Sequence, residues 1–186
     1  MITTNDLKVG LAIEYDGDLL EIVEWAHIKP GKGPAFVRAK LRNLRTGAIF
    51  ERTFRAGEKV QDVRIEEKEV QFLYSAGDEY VFMDGETFEQ ISVPKAKVGR
   101  AAGFIKENDN VKIALNGDEV LGITLPIHVV LRIARAEPGV RGNTASTATK
   151  PATLETGAVI NVPLFVEEGD RVKIDTRTGE YVERAK

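Results

Sequence analysis

The chain has 186 residues, a formal net charge of −3, 42% apolar residues and 30% charged residues; this balance excludes wholesale disorder and suits a globular fold. It has no cysteine and only two histidines, His27 and His128, far apart in sequence, which excludes a disulfide framework, a cysteine nucleophile and a cysteine zinc site and argues against a histidine metal cluster. No apolar run approaches the roughly 18 residues of a membrane helix, and the N-terminus lacks a basic region followed by an apolar core, so the expectation is a cytoplasmic protein with no membrane partner. Charge is uneven: residues 1–64 carry +2, residues 65–126 carry −6 and residues 127–186 carry +1. Mildly basic ends around an acidic middle suit a protein that touches RNA at two ends, and equally an ordinary soluble protein.

The periodicity predicts strands throughout. Leu19–Ile28 (LLEIVEWAHI) and Ala35–Leu44 (AFVRAKLRNL) both alternate with period two. They flank KPGKGP, which becomes the tip of a long hairpin. RTGAIFERTF adds a strand after the Thr46-Gly47 turn, and a first module ends near Arg64.

A second module begins near Ile65. EVQFLYS, EYVFMD and FEQISVP read as short strands parted by turns at Gly77 and Gly85. Val98, Ala101, Ala102 and Ile105 fall at i, i+3, i+4 and i+7, which predicts one short amphipathic helix. Asn116-Gly117 joins two further strands in a tight hairpin. The third module opens with IHVVLRIARA, continues through GAVINVPLFV and closes with DRVKIDTRTGEYVER. Arg141–Gly157, rich in Thr, Ala, Ser and Gly, reads as one long loop inside it. The expected fold is therefore all-β, with three small domains at 1–64, 65–126 and 127–186. The last two, each with about five strands, suit OB-type barrels.

The hairpin tip carries the most chemistry. Gly31 and Gly33 flank Lys32, and Pro30 and Pro34 flank the glycines. Glycine permits positive φ and close approach of a partner; proline stiffens the flanks. With four or five residues of each arm projecting, the reach is about 15 Å. On the returning strand Arg38, Lys40 and Arg42 share one face, opposite Val37, Ala39 and Leu41, which makes an electrostatic track for phosphates. A plain surface turn with a solvated lysine explains the tip residues too. A phosphate-cradling P-loop does not, because the required spacing and following helix are missing.

Elsewhere, Arg141, Gly142, Asn143 and Thr144 place a cation beside amide and hydroxyl groups that could read single-stranded RNA; a polar surface loop is the alternative. Arg177, Tyr181 and Arg184 stand near the end; Tyr181 and Arg184 could stack on or clamp RNA, or the group could pack around a turn at Thr178-Gly179. No nucleophile motif is present, and Glu66, Glu67 and Glu69 read as a solvated edge, so no catalytic residue, cofactor or metal is expected.

Taken in order, KPGKGPAFVRAKLRNLRTG (Lys29 to Gly47), ERTFRAGEKV (Glu51 to Val60), QFLY, YVFMD and KPATLETGAVINVPLFVEEGDRVKIDTRTGEYVER (Lys150 to Arg184) resemble bacterial elongation factor P over essentially the whole chain. The resemblance implies a KOW/SH3-like barrel followed by two OB barrels in an L-shaped, tRNA-like arrangement. It also implies a monomer that binds the 70S ribosome, its rRNA and proteins, between the P and E sites and relieves stalling at consecutive prolines by positioning P-site peptidyl-tRNA.

By the same resemblance Lys32, framed by Lys29, Pro30, Gly31, Gly33 and Pro34, points to the peptidyl-transferase centre, with Arg38, Lys40 and Arg42 against RNA. Lys32 matches a position that a lysine-modifying enzyme extends in many relatives; the PGKGP loop with Pro34 resembles members whose lysine works unmodified. Arg141, Gly142, Asn143 and Thr144 match a loop associated with the E-site mRNA codon, with Asn143 where relatives commonly carry Asp. Asn keeps an acceptor oxygen but loses the charge. Tyr181 and Arg184 match a C-terminal RNA-contacting pair. The alternatives are a general single-strand RNA-binding OB protein, disfavoured by aromatics of only 7% at mostly core phases, and the elongation-factor-P-like paralogue, whose tip usually carries arginine.

Overall fold

Strand alternation gives three sheets in the computed structural model, which describes residues 1–138 and 148–185. The first sheet holds β1 (Ile2–Thr3), β2 (Ala12–Tyr15), β3 (Asp18–Ile28), β4 (Phe36–Asn43), β5 (Ile49–Arg55) and β6 (Lys59–Val63). Their order is β1-β6-β2-β3-β4-β5. Ile13, Ile22, Val37, Ala39, Leu41 and Phe54 fill its core. β6, unforeseen in the sequence, pairs with both β1 and β2 and so ties the start of this module to its end. Buried Asn43 shapes the turn into β5: its Oδ1 accepts the N–H groups of Arg45 at 2.9 Å and Thr46 at 3.0 Å, while Gly47 takes φ +76°. That is the local side-chain bonding that makes Asn a turn former.

The second sheet holds β7 (Glu66–Ala76), β8 (Glu79–Asp84), β9 (Gln90–Pro94), β10 (Asn110–Asn116) and β11 (Glu119–Thr124), in the order β11-β10-β7-β8-β9. The expected single helix is interrupted. α1 spans only Lys95–Val98, and a 3₁₀ segment follows over Gly99–Gly103. Gly99 takes φ +55°, which no helix continues through, so the apolar spacing across it never forms one stripe.

The third sheet holds β12 (His128–Ala136), β13 (Thr149–Leu154), β14 (Val159–Pro163), β15 (Arg171–Asp175) and β16 (Glu180–Arg184), in the order β14-β13-β12-β15-β16. Here β13 corrects the long loop expected over 141–157. Lys150, Ala152 and Leu154 alternate as buried residues, and the small Ala and Thr side chains hid a half-buried strand. Phe104, just after the 3₁₀ segment, packs into this sheet's core with Leu131, Ile133, Leu154 and Ile174. The chain divides into two compact units, Met1–Glu67 with Ala114–Gly122, and Lys68–Ile113 with Ile123–Lys186. Among the described residues no helix is long and apolar enough to cross a membrane.

Candidate functional site: the β3–β4 tip

β3 and β4 pair from Leu20↔Asn43 up to Ile28↔Phe36, leaving residues 29–35 as the connecting loop. Lys29, Pro30, Gly31, Lys32, Gly33 and Pro34 are all exposed. Gly33 takes φ +110°, a conformation that side chains rarely adopt. A Cβ there would meet only Pro30 Cγ at 3.9 Å, so the glycine is required by backbone conformation rather than by space. Gly31 has no positive φ and open space around it; the backbone asks nothing special of it.

The arms are not free-standing, which corrects the projection estimated from sequence. β5 accompanies β4 as far as Arg55 opposite Phe36, so the loop rises from three paired strands. β2 covers β3 only over Asp18–Glu21, and a bulge falls between Ile22 and Glu24. Beyond that bulge the alternation of β3 ends and Glu24, Trp25, Ala26 and His27 are exposed. A bulge and a charged residue are common protections for a bare strand edge.

On β4, Val37, Ala39 and Leu41 are fully buried, while Arg38 and Arg42 are exposed and Lys40 is half-buried. The three cations differ in how free they are. Arg42 donates from Nε to Glu21 Oε2 at 2.9 Å, and Lys40 lies 3.5 Å from Glu24. Arg38 sits between Ala26 and Thr53 and has no carboxylate partner among the described residues. Arg55, opposite Phe36, is also exposed; its backbone N–H donates to Glu58 Oε2 at 3.0 Å, but its guanidinium has no carboxylate partner among the described residues. Unpaired positive charge therefore gathers towards the loop, at Lys29, Lys32, Arg38 and Arg55, and fades towards the base of the strands. Arg55 was missed in the sequence because only the β4–β5 register puts it beside Phe36. Arg52, on the opposite face, lies 4.0 Å from the Tyr15 ring centroid and 3.1 Å from Asp16, where it packs rather than projects.

The other expected site residues lie in the third sheet. Tyr181 is half-buried against its core and lines a groove of about 590 Å³ with Asn161 and Thr178. Arg184 is hydrogen-bonded to Asp170. The Glu167 N–H first, then Arg184, holds the Asp170 carboxyl below the usual carboxylate range. Arg177 is taken up by Asp175 in the same way. Arg141, Gly142, Asn143 and Thr144 lie outside the described residues. The exposed aromatics Trp25, Phe50, Tyr74, Phe88 and Phe165 fall on separate strands and turns. No group of three or more His, Cys, Asp or Glu able to hold a metal occurs among the described residues.

The fold is shared with solved translation factors. A solved structure of translation initiation factor 5A from Methanococcus jannaschii is similar, with TM-score 0.52 and 25% identity over 66% of this chain and 92% of that one. A translation initiation factor 5A family protein from Naegleria fowleri shares the fold at TM-score 0.51 and 18% identity over 67% of this chain and 96% of that one. Within the class the assignment is specific. Residues 3–60 match the elongation factor P KOW-like domain, residues 65–123 its OB domain and residues 129–184 its C-terminal domain. Elongation factor P of Moorella thermoacetica is 57% identical over 185 residues, covering 100% of both chains. That of Natranaerobius thermophilus is 54% identical over 186 residues, covering 100% of this chain and 99% of the relative. The chain belongs to the elongation factor P family.

Proposed function

We propose that this protein binds the ribosome between the P and E sites and promotes peptide-bond formation at consecutive prolines by positioning P-site peptidyl-tRNA, with Lys32 at the peptidyl-transferase centre. The observation that carries this reading is the exposed Lys32 tip, raised on three paired strands, with unpaired Lys29, Arg38 and Arg55 beneath it. Proline is a poor partner in peptide transfer because its ring fixes φ and restricts the approach of the chain. A factor that orders the peptidyl-tRNA lowers that barrier by orientation alone; proton transfer stays with the ribosome.

In this reading the first module, 1–64, inserts the tip, and the modules at 65–126 and 127–186 hold the rest of the factor on RNA and ribosomal protein. Residues 141–144 are assigned to the E-site codon. Arg184, already bonded to Asp170, contributes less free charge to RNA than its position in the sequence suggests. Tyr181 offers the exposed part of its ring. The test is synthesis of a reporter carrying consecutive prolines in a purified translation system with and without the wild-type protein. Relief of the stall supports the proposal; a stall unchanged at saturating protein contradicts it.

A further inference from the structure

We propose that Arg132 and Arg171, with Lys106 beside them, bind a backbone phosphate of RNA on the outer face of the third sheet. In β12, Leu131 and Ile133 are each 1% exposed, so Arg132 between them points outward. Arg132 is the direct antiparallel partner of Arg171 on β15, also exposed. Like charges directly opposite each other across a strand pair are destabilising.

The neighbouring rows show how the same face treats its other charges. Lys173, opposite Val130, is bonded to Glu183 at 2.9 Å. Asp175, opposite His128, is held by Arg177. The nearby carboxylates are committed elsewhere. Asp170 accepts the Glu167 N–H at 2.9 Å and the Arg184 guanidinium. Glu155 accepts the Arg132 backbone N–H at 2.8 Å and stands 3.9 Å from Lys106 Nζ. Neither the Arg132 nor the Arg171 guanidinium has an acidic partner among the described residues.

Lys106 adds a third cation. Its Nζ lies 3.5 Å from the Val130 carbonyl oxygen, in the row next to the arginine pair. Lys106 and Arg171, though not Arg132, line a hollow of about 290 Å³ with Asp109, Asn110 and His128; the Asp109 carboxylate there accepts the Lys106 backbone N–H at 3.0 Å. Two guanidinium forks on directly paired positions of one sheet face suit an oxyanion that can bridge both. A phosphodiester would offset the arginine–arginine repulsion and use two guanidinium groups that have no carboxylate partner among the described residues, with Lys106, shared with Glu155, beside them. The choice of RNA as the source of that phosphate rests on the translation-factor reading above.

The test uses the full-length, ¹⁵N-labelled protein, titrated with a single-stranded RNA oligonucleotide of mixed sequence and, separately, with inorganic phosphate at equal phosphate concentration. The Arg132 and Arg171 Nε–H signals are expected to move with RNA and not with inorganic phosphate. Arg132→Gln is expected to weaken RNA binding about tenfold and to reduce the log–log salt slope by about one. Arg132→Glu is expected to raise the thermal midpoint, by pairing with Arg171, while abolishing the RNA-induced shift. RNA that leaves these signals unmoved, fails to bind, or binds Arg132→Gln as tightly as wild type overturns the proposal. Equal shifts with inorganic phosphate overturn the RNA assignment in favour of a free-anion site. The readout does not depend on proline-stall relief: shifts present without relief count against the function reading alone, and relief without shifts counts against this site alone.

Discussion

Gly33 and Gly31 flank the same lysine yet carry different burdens. Gly33 holds φ +110°, so a side chain there strains the loop by about 1–2 kcal/mol, which the exposed tip relieves by changing shape. Gly33→Ala should therefore lower stall relief several-fold while shifting the thermal midpoint little; Gly31→Ala, in open space without that φ, should leave the free loop's shape intact. Comparing loop chemical shifts and relief for the two variants checks this, and identical behaviour of both would contradict it. Acidic residues set the response to pH. Backbone N–H groups of Glu86 and Thr87, with Lys68, hold the Asp84 carboxyl below its ordinary range, and Asp170 is lowered by the Glu167 N–H and Arg184. A carboxyl lowered in the folded state stabilises fully above its unfolded pKa, near 4, and loses that contribution as pH falls through the folded value. The thermal midpoint should fall as pH is lowered from about 4, the unfolded value, towards the lower folded values. Asp84→Asn, which keeps an acceptor for the turn, should fall less over the same window.

At the scale of elements, the segment after α1 does more than connect two sheets. Phe104 is 7% exposed within the third sheet's core, Thr156 donates to the Gly103 carbonyl at 2.6 Å, and a Cβ on Gly103 would stand 3.0 Å from Ala158 Cβ. Phe104→Ala should cost about 3–5 kcal/mol, read as a lower denaturant midpoint; a loss below about 1 kcal/mol would show that this anchor is redundant. The sequence reveals the strands better than their ends. β8 was legible residue for residue because EYVFMD is apolar at its core and closed by a glycine turn on each side. The helix was misread because its apolar spacing ran across Gly99, whose φ +55° is invisible to periodicity. β13 was missed because threonine and alanine dilute its alternation. For the tip, Gly33, Lys32 and the alternating β4 face were readable from residue types. The supporting reach of β5, the pairing of Arg42 with Glu21 and the arginine pair of β12 and β15 were not, since each depends on cross-strand register between distant segments.

For the whole molecule, a net charge of −3 conceals local differences. Among the described residues Lys32 and Arg38 near the β3–β4 loop, Arg132 and Arg171 on the third sheet, and Lys59, Lys95 and Lys97 elsewhere have no side-chain carboxylate partner, while Lys40, Arg42, Arg45 and Arg177 are paired within the protein. On the function proposed above, the loop and the arginine pair are the points that would meet RNA. The central claim is that Lys32 acts at the tip, apart from the surfaces that hold the factor in place. It is tested most directly by measuring ribosome affinity and relief of a consecutive-proline stall for Lys32→Ala beside wild type. The account predicts affinity within about threefold of wild type, since one exposed charge contributes little to a many-contact interface, and loss of most of the relief. Full relief by Lys32→Ala at saturating concentration would contradict it.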